Sequence, residues 1–284
     1  MTGEQRVGVL GAGVMGAGIA QCLAQAGIPV TVVDTDAAAA ERARRDLKAA
    51  LRLSVLLGRG PLAADLPAIM ARVQWSDRLG DLGTSSFVIE SVTERIGLKR
   101  GLFTELDRVC PAEAVFASGT SAIPIADLAA VTGRPDRILG LHFMNPAPLT
   151  ETVEVVTSAQ TSPDTLNRAL GLLDAIGKKG IVVGDGPGFV INRVLMLGIA
   201  EAAEITESGT DAATIDELFE GCLGHRMGPL RTADLIGLDN VADTLAVLRS
   251  TTGDGRYRVP RALAELVAAG HLGRKTGRGF HEYS

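Results

Sequence analysis

His142 and Glu154, twelve residues apart, are the side chains of this sequence best suited to moving a proton. Imidazole changes charge near neutral pH, and a carboxylate beside it fixes the tautomer and stabilises the imidazolium. His142 ends the apolar run Ile138-Leu139-Gly140-Leu141, and Glu154 opens another, Val153-Glu154-Val155-Val156. From spacing alone His142 reads equally as a catalytic or a structural histidine. A second constellation is Gly11, Gly13 and Gly16, in the spacing G-x-G-x-x-G directly after the apolar run Val7–Leu10. The three glycines allow a tight turn, close approach of a pyrophosphate and close helix–strand packing, and the helix start that follows favours phosphate. Asp34, 18 residues after Gly16, ends a second strand, where a carboxylate can accept hydrogen bonds from an adenosine ribose. A 2′-phosphate there would face Asp34 and Asp36, with no Arg or Lys between Pro29 and Ala40, which favours NAD over NADP. Asp34 is also compatible with a role as the cap of the next helix.

A sheet whose strands end at these residues would bring them to one edge. Besides Val7–Leu10 and the strand ending at Asp34, short apolar or β-branched runs occur at Phe87–Glu90, Val115–Ala117, Ile138–Leu141, Val153–Val156 and Ile181–Val183. Helical patterns separate them at Ala37–Leu57, Leu66–Arg72, Leu98–Val109 and Thr165–Ile176. The alternation predicts a largely parallel, doubly wound sheet covered on both faces. After Gly188 the strand pattern stops, and helices are expected at Phe189–Ser208, after a capping box at Thr214-Ile215-Asp216-Glu217, and at Pro229–Ile236, Asp239–Leu248 and Pro260–Ala269. The fold class is therefore α/β, a Rossmann-type domain over residues 1–186 followed by an all-α C-terminal domain over residues 187–284, with the turn Asp185-Gly186-Pro187-Gly188 at the boundary.

Composition narrows the function classes. With 284 residues, 46% hydrophobic and 21% charged, the chain has the balance of a globular protein with ample core, so extensive disorder is not expected. A net charge of −5 argues against nucleic acid as the main partner. The three cysteines, Cys22, Cys110 and Cys222, are odd in number and form no C-x-x-C pair, which suits a reducing cytoplasm. The first strand begins too early for a signal peptide, no stretch of 18 uncharged apolar residues suggests a membrane span, and no metal site is expected.

Several blocks of the sequence resemble the L-3-hydroxyacyl-CoA and 3-hydroxybutyryl-CoA dehydrogenases. They are His142-Phe143-Met144-Asn145-Pro146-Ala147-Pro148 with Val153-Glu154-Val155, Pro187-Gly188-Phe189-Val190-Ile191-Asn192-Arg193, Met227-Gly228-Pro229, Asp234-Leu235-Ile236-Gly237-Leu238-Asp239 and Gly273-Arg274-Lys275-Thr276-Gly277-Arg278-Gly279-Phe280. The resemblance implies NAD-dependent interconversion of a short 3-hydroxyacyl thioester and its 3-ketoacyl thioester. It also implies His142 as general base and Glu154 as its electrostatic support. Ser121 would hydrogen-bond the substrate oxygen, and Asn192 would position substrate across an interdomain cleft. Glu94 and Lys99 would lie near the cofactor's ribose and nicotinamide, and a homodimer would form through the helical domain, where Met196-Leu197-Gly198-Ile199-Ala200 could supply an interface. Read without the resemblance, Ser121 could be a helix cap, Asn192 a satisfied helix residue, and Glu94 and Lys99 a solvated face.

The chain departs from the family pattern at three places. Leu51–Gly60 carries only Arg52 and Arg59 where the family often has lysines for the nucleotide of coenzyme A. Gly119 replaces the asparagine of a Ser-Asn-Thr-Ser turn, and Leu149-Thr150-Glu151-Thr152 replaces an apolar-Met-Lys-Leu run. These changes suggest a short, oxygenated acyl group, carried either on coenzyme A or on an acyl carrier protein, as in the making of polyketide extender units from a glyceryl group. The apolar Leu53–Leu57 stretch is then a candidate contact for a carrier helix. A gulonate-type sugar-acid dehydrogenase is a further alternative, because Thr150 and Glu151 would suit a polyhydroxylated substrate. A dehydrogenase with a catalytic lysine is disfavoured, since Lys178 and Lys179 read as a solvated turn.

Overall fold

A computed structural model describes residues 6–56 and 63–283. The described chain divides into two compact units, one ending at Asp185 and one beginning at Gly186. The first is built on an eight-stranded sheet. Its strands are β1 (Val7–Leu10), β2 (Val30–Val33), β3 (Val73–Ser76), β4 (Phe87–Glu90), β5 (Val115–Ser118), β6 (Ile138–Phe143), β7 (Thr152–Thr157) and β8 (Lys179–Gly184), in the order β3-β2-β1-β4-β5-β6-β7-β8. Every neighbouring pair is parallel except β6 and β7. Helices α1 (Val14–Gln25), α2 (Ala37–Leu56), α3 (Leu66–Ala71), α4 (Ile96–Val109), α5 (Ile125–Ala129) and α6 (Pro163–Ala175) connect the strands. All residues of β1, β4, β5 and β6 are buried, as expected for strands covered on both faces. Val7, Val9, Val32, Ile89, Leu139 and Leu141 belong to the core that this covering creates.

The second unit is helical, with α7 (Ile191–Glu207), α8 (Ala212–Leu223), α9 (Pro229–Ile236), α10 (Leu238–Thr252) and α11 (Arg261–Ala268). Met196, Ile199 and Ala200 are buried in its own core beside Leu245 and Leu263, so the apolar stripe of α7 packs inside the unit instead of forming an exposed face. Helix α8 starts earlier than the sequence predicts. Asp211, not Thr214, is its N-cap, its carboxylate accepting from the Thr214 backbone and hydroxyl at 2.9 and 2.7 Å. The ionised carboxylate thus replaces the hydroxyl as the acceptor at this helix start. Among the described residues no helix is long and apolar enough to cross a membrane, and no group of three or more His, Cys, Asp or Glu is placed to hold a metal.

Candidate active site

The sheet explains how His142 and Glu154 meet. Strands β6 and β7 are antiparallel, and His142 stands directly opposite Glu154 in their register. Directly opposed side chains on one face of such a pair lie within contact distance. His142 Nδ1 is 2.6 Å from Glu154 Oε2, and both side chains are buried. With Nδ1–H given to the carboxylate, the neutral ring keeps its lone pair on Nε2, the atom able to accept a proton. His142 lies inside β6, which runs one residue beyond it, so the pair is held by sheet rather than loop.

The next strand toward the centre of the sheet brings a second set to the same edge. Ser118 of β5 is in register with Gly140 of β6, so the turn that follows β5 lies beside the end carrying His142. Glu94 organises that turn: its Oε1 accepts from the Thr120 hydroxyl, from the Ser121 backbone N–H at 2.9 Å and from that of Ala122 at 3.2 Å. Lys99 is buried, not on a solvated face, and its ammonium bridges Glu90 at 2.7 Å and Glu94 at 3.1 Å. Burial pushes the Glu94 carboxyl up, but Lys99, Thr120 and the Ser121 N–H together hold it below the ordinary carboxylate range. Glu90, fully buried at the end of β4, also accepts from the Ser118 hydroxyl at 2.6 Å and the Val92 N–H at 2.7 Å. It is the residue that sequence reasoning missed; a carboxylate closing an all-apolar strand, with a lysine nine residues on, was its signal. Ser121 is not a helix cap. The N-terminal amides of α5 at Ile125 and Ala126 are taken by Asp185, each at 2.8 Å.

At the other strand ends, the glycine loop has the form a dinucleotide needs. Gly11 has φ +104°, and a Cβ there would lie 2.6 Å from the Ser91 carbonyl oxygen; a Cβ on Gly16 would fall on the carbonyl oxygen of Gly11. Around Gly13 a Cβ would meet nothing within 4 Å, which leaves the face of the loop open. Asp34 accepts from the Ala12 N–H at 2.7 Å and from the Asp36 N–H at 2.9 Å, while the Ala38 N–H in the first turn of α2 donates to Asp36. Asp36 therefore caps α2, and Asp34 braces the glycine loop. An ionised carboxylate offers about four lone-pair sites, so Asp34 retains acceptor capacity for ribose hydroxyls. Loop, helix start and acidic acceptor fit NAD.

One further group is placed differently from the sequence reading. Lys178 is buried, with its ammonium on backbone carbonyls, and only Lys179 of the expected solvated pair is exposed. An ammonium engaged in this way is unsuited to serve as the base of a lysine-dependent dehydrogenase. Asn192 lies in the first turn of α7, in the second unit. The chain also lines a cavity of about 430 Å3 between α1, α2 and the segment Asn145–Pro148 that follows β6. Among the described residues Arg42 is the one cation in its wall, and it pairs with Asp36 at 3.6 Å.

Comparison with known proteins agrees along the whole described chain. The model of the NAD binding domain of 3-hydroxyacyl-CoA dehydrogenase matches residues 6–186, and that of its C-terminal domain matches residues 188–283. A 3-hydroxybutyryl-CoA dehydrogenase of Bradyrhizobium diazoefficiens is 38% identical over 98% of this chain and 95% of its own length. The crystal structure of FadB2 from M. tuberculosis superposes with a TM-score of 0.95 at 37% identity, covering 99% of each chain. That of (S)-3-hydroxybutyryl-CoA dehydrogenase from Ralstonia eutropha gives 0.92 at 38% identity, covering 99% of this chain and 100% of the other. With both domains matched in order and similarity unbroken from end to end, the chain belongs to the 3-hydroxyacyl-CoA dehydrogenase family and is an NAD-dependent dehydrogenase.

Proposed function

We propose that the chain interconverts a short 3-hydroxyacyl thioester and its 3-ketoacyl thioester, with His142 as the general base. The buried His142–Glu154 pair at 2.6 Å, on the sheet edge that also carries the glycine loop, is the observation that carries this reading. Hydride loss from an alcohol carbon must be matched by proton removal, because a protonated ketone is far too high in energy at neutral pH. In our reading His142 Nε2 takes the hydroxyl proton while Glu154 holds the ring and stabilises its charge. NAD, when bound, supplies the hydride acceptor. Gly11, Gly13 and Gly16 would hold its pyrophosphate and Asp34 its adenosine ribose. Glu94 and Lys99 would shape the nicotinamide end. Ser121, whose backbone Glu94 fixes, would donate to the substrate oxygen, and Asn192 would position the thioester. The helical unit exposes Val194, Leu218, Leu223 and Leu235, which a homodimer could cover.

Coenzyme A is the carrier named for the relatives, and an acyl carrier protein is a second reading favoured by α2. Leu53 and Leu56 are 55% and 82% exposed there; Leu57 and Gly58–Gly60 fall outside the described residues. An adjoining groove of about 570 Å3 between α2 and α3 is lined by Arg44, Arg45, Lys48 and Arg52 with one carboxylate, Glu41, a net positive pattern suited to an acidic helix. The sugar-acid alternative loses support, since the Thr150 hydroxyl donates within its own loop to the Pro146 carbonyl at 3.2 Å. Steady-state kinetics should compare acetoacetyl-CoA with the same acyl group on a carrier protein. Turnover of either with NADH is expected, and a tenfold preference, ~1.4 kcal/mol in transition-state binding, would settle the carrier. Turnover of neither would refute the reaction.

A further inference from the structure

We propose that Lys178 is a positioning residue that locks the loop between the two catalytic strands into the shape that binds the acyl thioester. The loop spans residues 144–151 and joins β6, which carries His142, to β7, which carries Glu154. Lys178 lies in the turn before β8, distant in sequence from both residues. Its Nζ donates to the carbonyl oxygens of Ala147 at 2.7 Å, Thr150 at 2.6 Å and Pro148 at 3.4 Å. An ammonium has three donors, and here three carbonyls of one loop converge on it. Lys178 is 9% exposed, and among the described residues it pairs with no carboxylate. A buried charge is costly unless its hydrogen bonds are made, so the loop must keep these carbonyls turned inward for the lysine to stay where it is.

The loop so held is part of a wall. Asn145, Pro146, Ala147 and Pro148 line the 430 Å3 cavity opposite Gly13 and Val14, where α1 begins. It also sits tightly on α1, since a Cβ on Gly18 would lie 3.2 Å from that of Ala147 and 3.3 Å from Pro148 Cδ. Lys178 thus acts at a distance from the reacting atoms. It sets the separation between loop and glycine turn, and with it the width of the channel into which a thioester arm would enter. The inference rests on the proposed reaction only for the substrate used to test it.

Lys178→Met removes the ammonium and keeps most of the side-chain volume. Arg134→Met is the control. Arg134 is also largely buried and bonded to a carboxylate and backbone carbonyls, but it precedes β6, at the sheet edge opposite His142. Hydrogen exchange at Leu149 and Thr150, whose amides donate to the Pro146 carbonyl, reads the loop without any substrate. Lys178→Met should speed that exchange at least tenfold and raise KM for acetoacetyl-CoA at least tenfold. It should change kcat less than threefold and the Kd for NADH less than twofold, and Arg134→Met should neither speed the loop exchange nor raise KM. A merely structural lysine would instead lower the folded fraction and leave KM unchanged. Loop exchange within twofold of wild type, or a KM unmoved while the loop loosens, would overturn the proposal. Failure of the wild type to turn over the thioester would refute the reaction, and the exchange measurement would then decide the lock alone.

Discussion

His142 and Glu154 show how a proposed catalytic pair can be half legible in sequence. Residue types and a twelve-residue spacing suggest an acid–base unit, but only the antiparallel register of β6 and β7 turns the spacing into contact. A shift of one residue in that register would send the carboxylate to the other face. Glu154→Gln keeps the size of the side chain and removes the charge that stabilises imidazolium. It should lower kcat by about 10²-fold, within the range for positioned acid–base groups, with little change in the Kd for NADH, as stopped-flow and equilibrium titration would show. Asp34 was legible for its acidity and place, but not for its second task. Its hydrogen bond to the Ala12 N–H ties the proposed ribose acceptor to the glycine loop, so the two parts of the proposed dinucleotide site are joined.

At the scale of elements, long apolar runs and glycine turns were read from sequence, while polar networks were not. Strand β3, Val73-Gln74-Trp75-Ser76, escaped because two of its four residues are polar, as an edge strand permits. Helix α5 escaped because it is one turn long and takes its cap from Asp185, sixty residues away. The Glu90–Lys99–Glu94 network escaped because it joins β4, the following loop and α4 in three dimensions. This network makes a pH prediction. Burial raises the Glu94 carboxyl, yet Lys99 and the hydrogen bonds from Thr120 and Ser121 leave it lowered overall. A lowered carboxyl contributes stability that is full above its unfolded value of about 4.3 and is lost as pH falls through its folded value. Thermal unfolding of wild type and Glu94→Gln should therefore differ most near pH 7, with the gap closing below about pH 4. A gap independent of pH would contradict the assignment.

At the scale of the whole molecule, the two units use hydrogen-bonded carboxylates in similar ways. In the first, Glu90 and Glu94 gather the ends of strands and the turns beyond them. In the second, Asp216 accepts from the Leu230 and Arg231 N–H groups and from His281, while Asp234 accepts from the Phe280 and His281 N–H groups and the Tyr283 hydroxyl. These bonds fasten the C-terminal segment to α8 and α9. With the Gly228 N–H donating to Glu220 at 3.0 Å, the blocks Met227–Pro229 and Gly273–Phe280 take a structural role that their resemblance alone does not tell. The first unit carries the glycine loop and the His142–Glu154 pair, and in our reading they act on one alcohol carbon. The most direct measurement uses 3-hydroxybutyryl-CoA deuterated at C3, incubated with NAD and the full chain, with the NADH formed analysed by mass spectrometry. We expect one deuterium in NADH for each acetoacetyl-CoA produced, at a rate that falls 10²–10⁴-fold in His142→Ala. Unlabelled NADH, or an undiminished rate in the variant, would contradict it.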